Sequence, residues 1–252
     1  MSPARDAERG EATAIMRAWR HPRIVTNLPY ERKRLHRHGD ARLILFLSGE
    51  LAESSFGHLG HFVPGDLLYR PAFFGHADAA TRQGSSYIHL PVSPAAVRAC
   101  TNRHGWAPLR GRVAIDNLDL ASLLRSPAWG DRMLETLGDV AYTPSRGEGP
   151  LKLVSDRLAN EADVRIADLS ACLEVPPYDF ARKFTREFGI PPRVYRREAR
   201  LQRAMALLAE GGRTLIEVAL SSGHYDQSHL TRNLKCETGL TPLEFRAAAR
   251  AR

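Results

Sequence analysis

The chain has 252 residues, which is long enough for two ordinary domains with separate cores. Its hydrophobic fraction of 43% and charged fraction of 25% are typical of a soluble globular protein, and no apolar run approaches the length of a membrane span. The net charge of +8 favours a polyanionic partner, although the excess of basic residues divides about evenly between the two halves. Because the first 20 residues contain no apolar core, we expect no secretory signal, no membrane partner and a cytoplasmic location.

Three cysteines, Cys100, Cys172 and Cys236, lie far apart in the sequence and form no C-x-x-C pair. This spacing indicates neither a zinc ribbon nor a disulfide framework. We expect all three to be small packed hydrophobes in a reducing compartment.

The patterns along the chain predict an α+β protein with several domains. Residues 1–22 are a polar N-terminal arm, and residues 23–93 contain short apolar runs broken by Gly and Pro, which favour strands of a sandwich or barrel. Residues 94–149 return to helical spacing, as in Leu118, Leu120, Leu123 and Leu124 and then Met133, Leu134 and Leu137, and end in the turn-rich linker "TPSRGEGP". We expect this segment to be a helical connector that also mediates dimerisation, and residues 150–252 to be entirely helical.

Two segments of the first half, "HRHGDARLILFLSG" and "GDLLYRPAFFGH", resemble the two motifs of a cupin, a small jelly-roll-like double-sheet barrel. The matching residues are His36, His38, Gly49, Gly65, Pro71 and His76. Arg42 stands where the cupin motif has a metal-binding glutamate, and Phe73 and Ala80 replace a glycine and an asparagine. The resemblance implies a barrel whose histidines face one interior.

Three imidazoles in one interior are able to bind zinc, iron, nickel or copper, but the guanidinium of Arg42 would oppose a cation. We therefore expect no metal and no cofactor, and we predict a pocket for a small effector, an anion being one candidate. The predicted lining is His36, His38, Arg42, Tyr69, Phe74 and His76. A filled core without any ligand is the alternative. His58, His61 and His89 are expected at the surface or at strand edges, without a role.

The second half contains a repeat at an offset of about fifty positions. "DFARKFTREFGIPPRVYR" begins at Asp179, and "HLTRNLKCETGLTPLEFR" begins at His229. Arg182 then aligns with Arg232, Gly189 with Gly239, and the aromatic residue near the end of each copy with its counterpart.

Each copy has the pattern of two short helices joined by a tight turn, the helix-turn-helix arrangement. In the second copy, Thr214 and Glu217 form a capping box, Gly223 breaks the first helix, and Asp226 caps the next. Ile216, Ala219 and Leu220 are the expected apolar face of the first helix, and Leu230 and Leu234 that of the second. Between the copies, "RVYRREARLQRAMALLAEG" predicts a connecting helix that packs through Tyr195, Ala199, Met205 and Leu208.

Residues 150–248 resemble the DNA-binding domain of the AraC/XylS family of bacterial transcription regulators, on the strength of "SSGHYDQSHLTRNLKCETGLTPLEFR". The resemblance implies two helix-turn-helix units that enter successive major grooves of double-stranded DNA. Arg182 and Arg232 are the predicted guanine readers, because an arginine donates two parallel hydrogen bonds to guanine O6 and N7. Tyr178, Gln227, Ser228 and His229 are the other predicted base contacts. Thr231, Arg186 and Arg196 are predicted to contact phosphates.

The first unit departs from the family pattern. Glu174 stands where the turn commonly has glycine, and Pro176 stands where a serine-like cap is usual. Proline is tolerated at a helix start, so we still expect the helix to form.

The sequence predicts a sequence-specific transcription regulator, an activator that responds to an effector in the barrel, without enzymatic activity. As an activator it would also contact RNA polymerase, and the resemblance implies a homodimer. Two alternatives stay open: a metal-dependent cupin enzyme with a DNA-binding tail, and a constitutive DNA-binding protein whose barrel is an interaction module.

Overall fold

The computed structural model describes residues 22–55, 58–115, 119, 127–137, 150–161 and 164–250. An antiparallel sheet domain comes first and a helical domain follows, as the sequence predicted. The strands are β1 Arg23–Asn27, β2 Arg32–His36, β3 Arg42–Ser55, β4 His58–Phe62, β5 Asp66–Arg70, β6 His76–Leu90 and β7 Leu109–Arg112. The helices of the described residues are α1 Pro94–His104, α2 Pro127–Leu137, α3 Pro150–Asn160, α4 Ile166–Cys172, α5 Pro177–Phe188, α6 Pro192–Glu210, α7 Leu215–Ser221, α8 Gln227–Thr238 and α9 Pro242–Arg250. None of these helices has the length and apolar character needed to cross a membrane.

The seven strands form one sheet in the order β1-β6-β3-β5-β7, with β2 paired to β6 and β4 paired to β3. The two long strands β3 and β6 pair along their length, and their register shifts near Gly49. Gly49 has a φ of +67°, and a Cβ there would overlap the Gly84 carbonyl. Bulges of this kind bend a strand and increase its twist. The sheet therefore curves at this point and encloses a cavity.

Alternation along the strands separates a core face from a cavity face. On β3, Leu43 and Leu45 belong to the main core, whereas Ile44 and Phe46 belong to a second cluster that borders the cavity. Successive side chains of a strand point to opposite faces, which accounts for this division.

The connector region differs in part from the sequence expectation. Met133, Leu134 and Leu137 are buried on α2, as predicted. A short strand, β7, lies in the stretch that was expected to be helical, and it pairs with β5. A four-residue segment is too short to show either periodicity in sequence. The predicted positions Leu118, Leu120, Leu123 and Leu124 lie outside the described residues.

The helical domain has two hydrophobic centres. The first unit, α3 and the start of α6 share a cluster that includes Phe180, Phe184 and Phe188. The second unit belongs to the main core, which continues without interruption into the sheet domain. The four predicted packing positions of the connecting helix, Tyr195, Ala199, Met205 and Leu208, are all buried, so that prediction is confirmed.

Two expectations about individual side chains were wrong. Ile216 and Leu220 are both 59% exposed, because the two-turn helix α7 buries only the stripe that contains Val218 and Ala219. Cys172 and Cys236 are exposed, and only Cys100 is a packed hydrophobe.

Candidate nucleic-acid interface and effector cavity

Helix caps and a turn glycine, both predicted from the sequence, stabilise the second helix-turn-helix unit. Thr214 and Glu217 form a complete capping box at the start of α7. Gly223 takes a φ of +79° in the turn, and the Asp226 side chain accepts from the backbone N–H of His229 at the start of α8. Because Leu230 and Leu234 are fully buried, the opposite face of α8 points outward.

That outward face carries most of the predicted base contacts. Gln227, Ser228 and Arg232 are exposed, and within the described part of the chain the Arg232 guanidinium has no ion-pair partner. Thr231 donates its hydroxyl to the Gln227 carbonyl 2.8 Å away, which leaves its oxygen as an acceptor. An arginine free of competing carboxylates is well suited to read a base edge.

His229 is turned partly inward. It is half-buried, its ring lies edge-on to His224 at 5.3 Å, and its Nδ1 accepts from the Tyr225 backbone N–H at 3.3 Å. These contacts leave Nε2 as the ring nitrogen able to reach DNA.

The first unit repeats the arrangement with weaker local support. Glu174 takes the left-handed conformation with a φ of +53°, and Pro176 precedes α5 without a side-chain cap. Tyr178 is 78% exposed, and Arg186 is exposed. Arg182 is also exposed, but its Nη2 lies 3.4 Å from the Asp179 carboxylate on the same helix.

Arg196 is not placed as the sequence suggested. It is half-buried, and its Nη1 donates to the Val164 carbonyl at 2.6 Å. This bond ties the connecting helix α6 to the segment before α4. One nitrogen of the Arg196 guanidinium is thereby engaged within the fold, and the predicted phosphate contact stays a prediction.

Tyr225 is an exposed side chain beside α8 that the sequence analysis did not include among the candidate DNA contacts. Its side chain is 86% exposed and stands directly before the N-cap of α8. The available signal was its position: it separates the buried His224 from the capping Asp226 in a turn that presents α8.

The sheet domain encloses a cavity of about 310 Å³. Histidines and charged side chains line one part of it, and apolar side chains line the other. The lining residues are Arg23, Val25, Lys33, His36, His38, Arg42, Ile44, Phe46, Leu51, Arg70, His76, Asp78, Tyr87 and His89.

Three of the predicted histidines meet in this cavity. The ring centroids of His36, His38 and His76 are 4.2 to 5.2 Å apart, and one nitrogen from each lies within 4.8 Å of the others. The Nδ1 atoms of His36 and His76 donate to backbone carbonyls at 2.8 and 3.1 Å, which points Nε2 towards the cavity in both. The Nε2 of the fully buried His76 has no hydrogen-bond partner among the described residues.

Burial and nearby guanidinium groups keep His38, His76 and His89 neutral. Burial, followed by the charge of Arg42, lowers the pKa of His38 to about 2 and that of His89 to about 3. Burial and then Arg70 lower the pKa of His76 well below its usual value. Neutral imidazoles with a free Nε2 are able to accept a hydrogen bond from a ligand or to coordinate a metal.

Three acidic side chains lie close to the basic or histidine side chains that line the cavity, and of the three only Asp78 lines it. Arg70 forms a buried ion pair with Glu53, and burial raises the pKa of Glu53 to about 7 in spite of that partner. Asp40 accepts from Arg42 at 3.1 Å. The His36 Nε2 lies 4.0 Å from the Asp78 carboxylate.

Four of the six residues predicted to line the pocket lie in the lining of this cavity, and two do not. His36, His38, Arg42 and His76 line the cavity. Tyr69 instead packs in the main core, where burial raises the pKa of its hydroxyl, and Phe74 is buried without facing the cavity. Tyr69 alternates with the cavity residue Arg70 on β5, so it points to the opposite face.

His89 was expected to have no role, but it is buried and lines the cavity. The signal that sequence reasoning missed was period two within each end of β6. His76 and Asp78 line the cavity at one end, and Tyr87 and His89 line it at the other. The register shift between Ala80 and Ser85 changes which alternate residues face the cavity.

Residues 169–248 match the family model described as "Helix-turn-helix domain". This part of the chain is therefore a helix-turn-helix domain. The match covers both recognition helices, α5 and α8, and the whole of the connecting helix.

The chain is also similar to several solved structures. A structure of ToxT from Vibrio cholerae O395 is 11% identical, with a TM-score of 0.40, covering 92% of this chain and 98% of its own. A regulator from Chromobacterium violaceum with an AraC-type DNA-binding domain is 26% identical over 39% of this chain and 88% of its own, with a TM-score of 0.35. The C-terminal domain of AraT from Geobacillus stearothermophilus is 21% identical over 40% of this chain and 87% of its own, with a TM-score of 0.38. The search of curated proteins found no match.

Proposed function

We propose that the protein is a transcription regulator whose two recognition helices read two adjacent sites in DNA and whose cavity binds a small effector. The observation that carries the proposal is the pair of equivalent arginines, Arg182 and Arg232, exposed on the outward faces of α5 and α8. A direct contact from each would place one specific hydrogen-bonding group in each of two grooves.

The connecting helix supports reading of two grooves. Helix α6 has 19 residues, which corresponds to a length of about 28 Å. Successive major grooves on one side of a duplex are separated by about 34 Å. A rigid spacer of this size suits two recognition helices that bind one helical turn apart.

The two arginines differ in their ion pairing before DNA binds. To contact a base, Arg182 has to break its ion pair with Asp179, and an exposed pair of this kind is worth only about 0.2–1 kcal/mol. Arg232 has no such competitor among the described residues. We infer that both arginines read bases, and that Arg232 contributes more.

Selection of bound duplexes from a random DNA pool tests the DNA half of the proposal. The selected duplex is then titrated with wild type, Arg182→Ala and Arg232→Ala, and Arg32→Ala serves as a charge-matched control on the exposed face of β2. We expect two short boxes about one helical turn apart, with each recognition-helix variant losing about 1–3 kcal/mol at one box.

Three results would contradict that assignment. If Arg232→Ala weakens all DNA sequences equally, Arg232 is a phosphate contact. If only one box is enriched, the first unit positions the protein without reading bases. If Arg32→Ala costs as much as Arg232→Ala, the measured effect is general electrostatics.

The cavity supports binding of a small polar or anionic molecule. Arg42 and Arg70 supply positive charge, His36, His38 and His76 supply ring nitrogens, and apolar side chains cover the other end. A volume of about 310 Å³ lies at the lower end of the range for ligand sites.

Thermal unfolding against a library of small carboxylates, sugars and amines tests the effector half. A true effector should raise the melting temperature of wild type and of His61→Ala, a control on β4 outside the cavity. The same compound should not stabilise His38→Ala. A shift that survives in His38→Ala would place the compound elsewhere, and no shift with any compound would favour the constitutive DNA-binding alternative.

A second candidate ligand is a divalent transition metal, because one nitrogen from each of three histidines converges and the buried His76 Nε2 has no hydrogen-bond partner in the described part of the chain. His36, His38 and His76 would hold the ion, which would supply a Lewis acid or an anchor for an anionic effector. Arg42 and Arg70 disfavour the bare cation. Co²⁺ titration followed by visible absorption separates the two cases, since bands that disappear in His76→Gln would demonstrate the metal site.

We also propose that the protein activates transcription, contacts RNA polymerase and forms a homodimer. A reporter gene placed downstream of the selected duplex tests activation, and we expect its expression to rise. A fall in expression would make the protein a repressor. Sedimentation of the full chain with and without duplex tests for the dimer.

A further inference from the structure

The two segments that bring histidines into the cavity also carry the contacts to the DNA-binding domain. In the first segment, Arg37 lies between His36 and His38 in the sequence and points out of the cavity. In the second, Phe73 and Gly75 come just before His76. The Phe73 N–H donates to the His38 carbonyl at 2.7 Å, so the two segments are joined directly.

Arg37 is buried in an ion cluster made by the helical domain. Its side chain is 8% exposed, and its Nη2 donates to Glu198 of α6 at 2.5 Å. The same nitrogen lies 3.1 Å from Glu237, near the end of the second recognition helix α8. Glu237 is 23% exposed and also pairs with Arg197 at 3.4 Å. A single guanidinium therefore links the cavity segment to the connecting helix and to a DNA-reading helix.

The second segment reinforces this link. Gln202 donates to the Glu198 carboxylate at 2.7 Å and lies 3.4 Å from the Phe73 carbonyl. A Cβ on Gly75 would lie 2.5 Å from Glu198 Oε1 and 2.8 Å from Arg37 Nη1. The backbone of the His76 segment is thus pressed against the ion cluster with no room for a side chain.

The first recognition helix also touches the sheet domain. Gly189 ends α5 in the left-handed conformation, and a Cβ there would overlap the Ser54 hydroxyl at the end of β3. The sheet domain therefore contacts the C-terminal ends of both recognition helices, on the side away from their exposed N-terminal residues.

We propose that Arg37 couples the cavity to the DNA-binding domain, so that a ligand on His36, His38 or His76 and DNA on α8 change each other's affinity through the Arg37–Glu198–Glu237 cluster. The coupling rests on the proposed function, since it needs DNA on the recognition helices. A ligand that moves His38 moves the neighbouring Arg37, and a buried ion cluster has few alternative arrangements in which both carboxylates keep a partner. By thermodynamic linkage, DNA binding must act back on the cavity.

Hydrogen exchange of the full chain, with and without the selected duplex, tests this reciprocity without knowledge of the effector. In wild type, saturating duplex should change the exchange rates of amides 36–40 and 73–76 by about fivefold or more, the lower end of usual allosteric coupling. Arg37→Gln should still bind the duplex but lose the change at these amides. Arg32→Gln, an exposed position on the preceding strand β2, should keep it.

Glu237→Gln is the second variant, because Glu237 is partly exposed and its loss leaves Glu198 paired with Arg37. We expect it to reduce the exchange change at amides 36–40. The proposal is overturned if wild type binds the duplex and the exchange rates of amides 36–40 and 73–76 do not change. It is also overturned if duplex changes these rates in Arg37→Gln as much as in wild type. A wild-type protein that fails to bind any duplex refutes the proposed function itself, and the binding titration reveals that case before exchange is measured.

Discussion

Glu174 and Gly223 occupy equivalent turns of the two helix-turn-helix units and take the same left-handed conformation, with φ values of +53° and +79°. Glycine adopts this conformation freely, whereas a residue with a Cβ is strained by about 1–2 kcal/mol. The first unit therefore carries backbone strain that the second avoids. The sequence indicated this difference, because Glu174 stands where a glycine was expected.

Replacing Glu174 by glycine should stabilise the first unit by about 0.5–1 kcal/mol, since relief of strain outweighs the greater freedom of glycine in the unfolded chain. Urea unfolding of the full chain measures the change. Gly223→Ala is the reverse substitution, and it should destabilise by more than 1 kcal/mol, because its Cβ would also lie 3.0 Å from Arg200 Nε. A stability loss in Glu174→Gly would mean that the Glu174 side chain makes a stabilising contact.

His224 makes the stability of the second unit depend on pH. Burial, followed by the charge of His229, lowers the pKa of His224 to about 4. The unfolded chain then binds more protons than the folded chain between the ordinary histidine pKa of about 6.5 and pH 4, so stability is complete above this window and falls as pH decreases through it. We expect a loss of about 1 kcal/mol per pH unit.

His224→Phe should remove this slope, because the aromatic ring keeps the packing and cannot be protonated. The Ser222 hydroxyl that bonds to His224 Nδ1 retains the Val218 carbonyl as acceptor. Unfolding free energies at pH 7, 6 and 5 give the slope for both proteins. Equal slopes would assign the acid sensitivity to other groups.

Among the elements, the helices of the second unit begin with side-chain caps and those of the first do not. Thr214, Asp226 and Thr241 accept hydrogen bonds at the starts of α7, α8 and α9. The helices α4, α5 and α6 begin after Arg165, Pro176 and Pro191, which make no side-chain cap. A cap is worth about 1 kcal/mol, so the second unit is the better stabilised of the two.

This difference predicts slower native-state hydrogen exchange in α7 and α8 than in α4 and α5. Thr214→Ala removes the hydroxyl that accepts from the Glu217 N–H and donates to the Glu217 carboxylate, and it should lower the opening free energy of α7 by about 1 kcal/mol. The amides of α4 provide the internal control, since Thr214 lies outside that helix. Equal protection of both units in wild type would show that tertiary packing, not capping, controls their opening.

Local patterns were predictable at this scale, and contacts between elements were not. The capping residues, the turn glycine and the buried Leu230 and Leu234 follow from spacing along one helix. Whether Tyr69 points into the core or into the cavity depends on which face of β5 meets the core. Strand alternation alone does not decide between these two faces. Ile216 and Leu220 have the spacing of a core face, but a helix of only two turns offers too small a surface to bury both.

At the scale of the whole molecule, the sheet domain and the second unit share one hydrophobic core. Phe245 of α9 is fully buried, with its ring 5.3 Å from Trp106 and 6.4 Å from Phe73 of the sheet domain. The repeat aligns Phe245 with Tyr195, which was a predicted packing position. Sequence spacing does not say that this core belongs to both domains, because periodicity identifies a buried face without identifying its partner.

The shared core predicts that these two parts unfold together. Phe245→Ala removes the ring that joins them, and it should destabilise by about 3–5 kcal/mol. Scanning calorimetry should show one endotherm for the sheet domain and second unit of the wild type, and two in Phe245→Ala, because the contact that makes them cooperative is lost.

Phe184→Ala is the matched control: Phe184 is equally buried, but its cluster lies within the first unit, α3 and α6. It should lower the stability of the first unit by a similar amount and leave the joint endotherm intact. A joint endotherm that survives in Phe245→Ala would mean that the Arg37 ion cluster, and not the aromatic contact, holds the domains together.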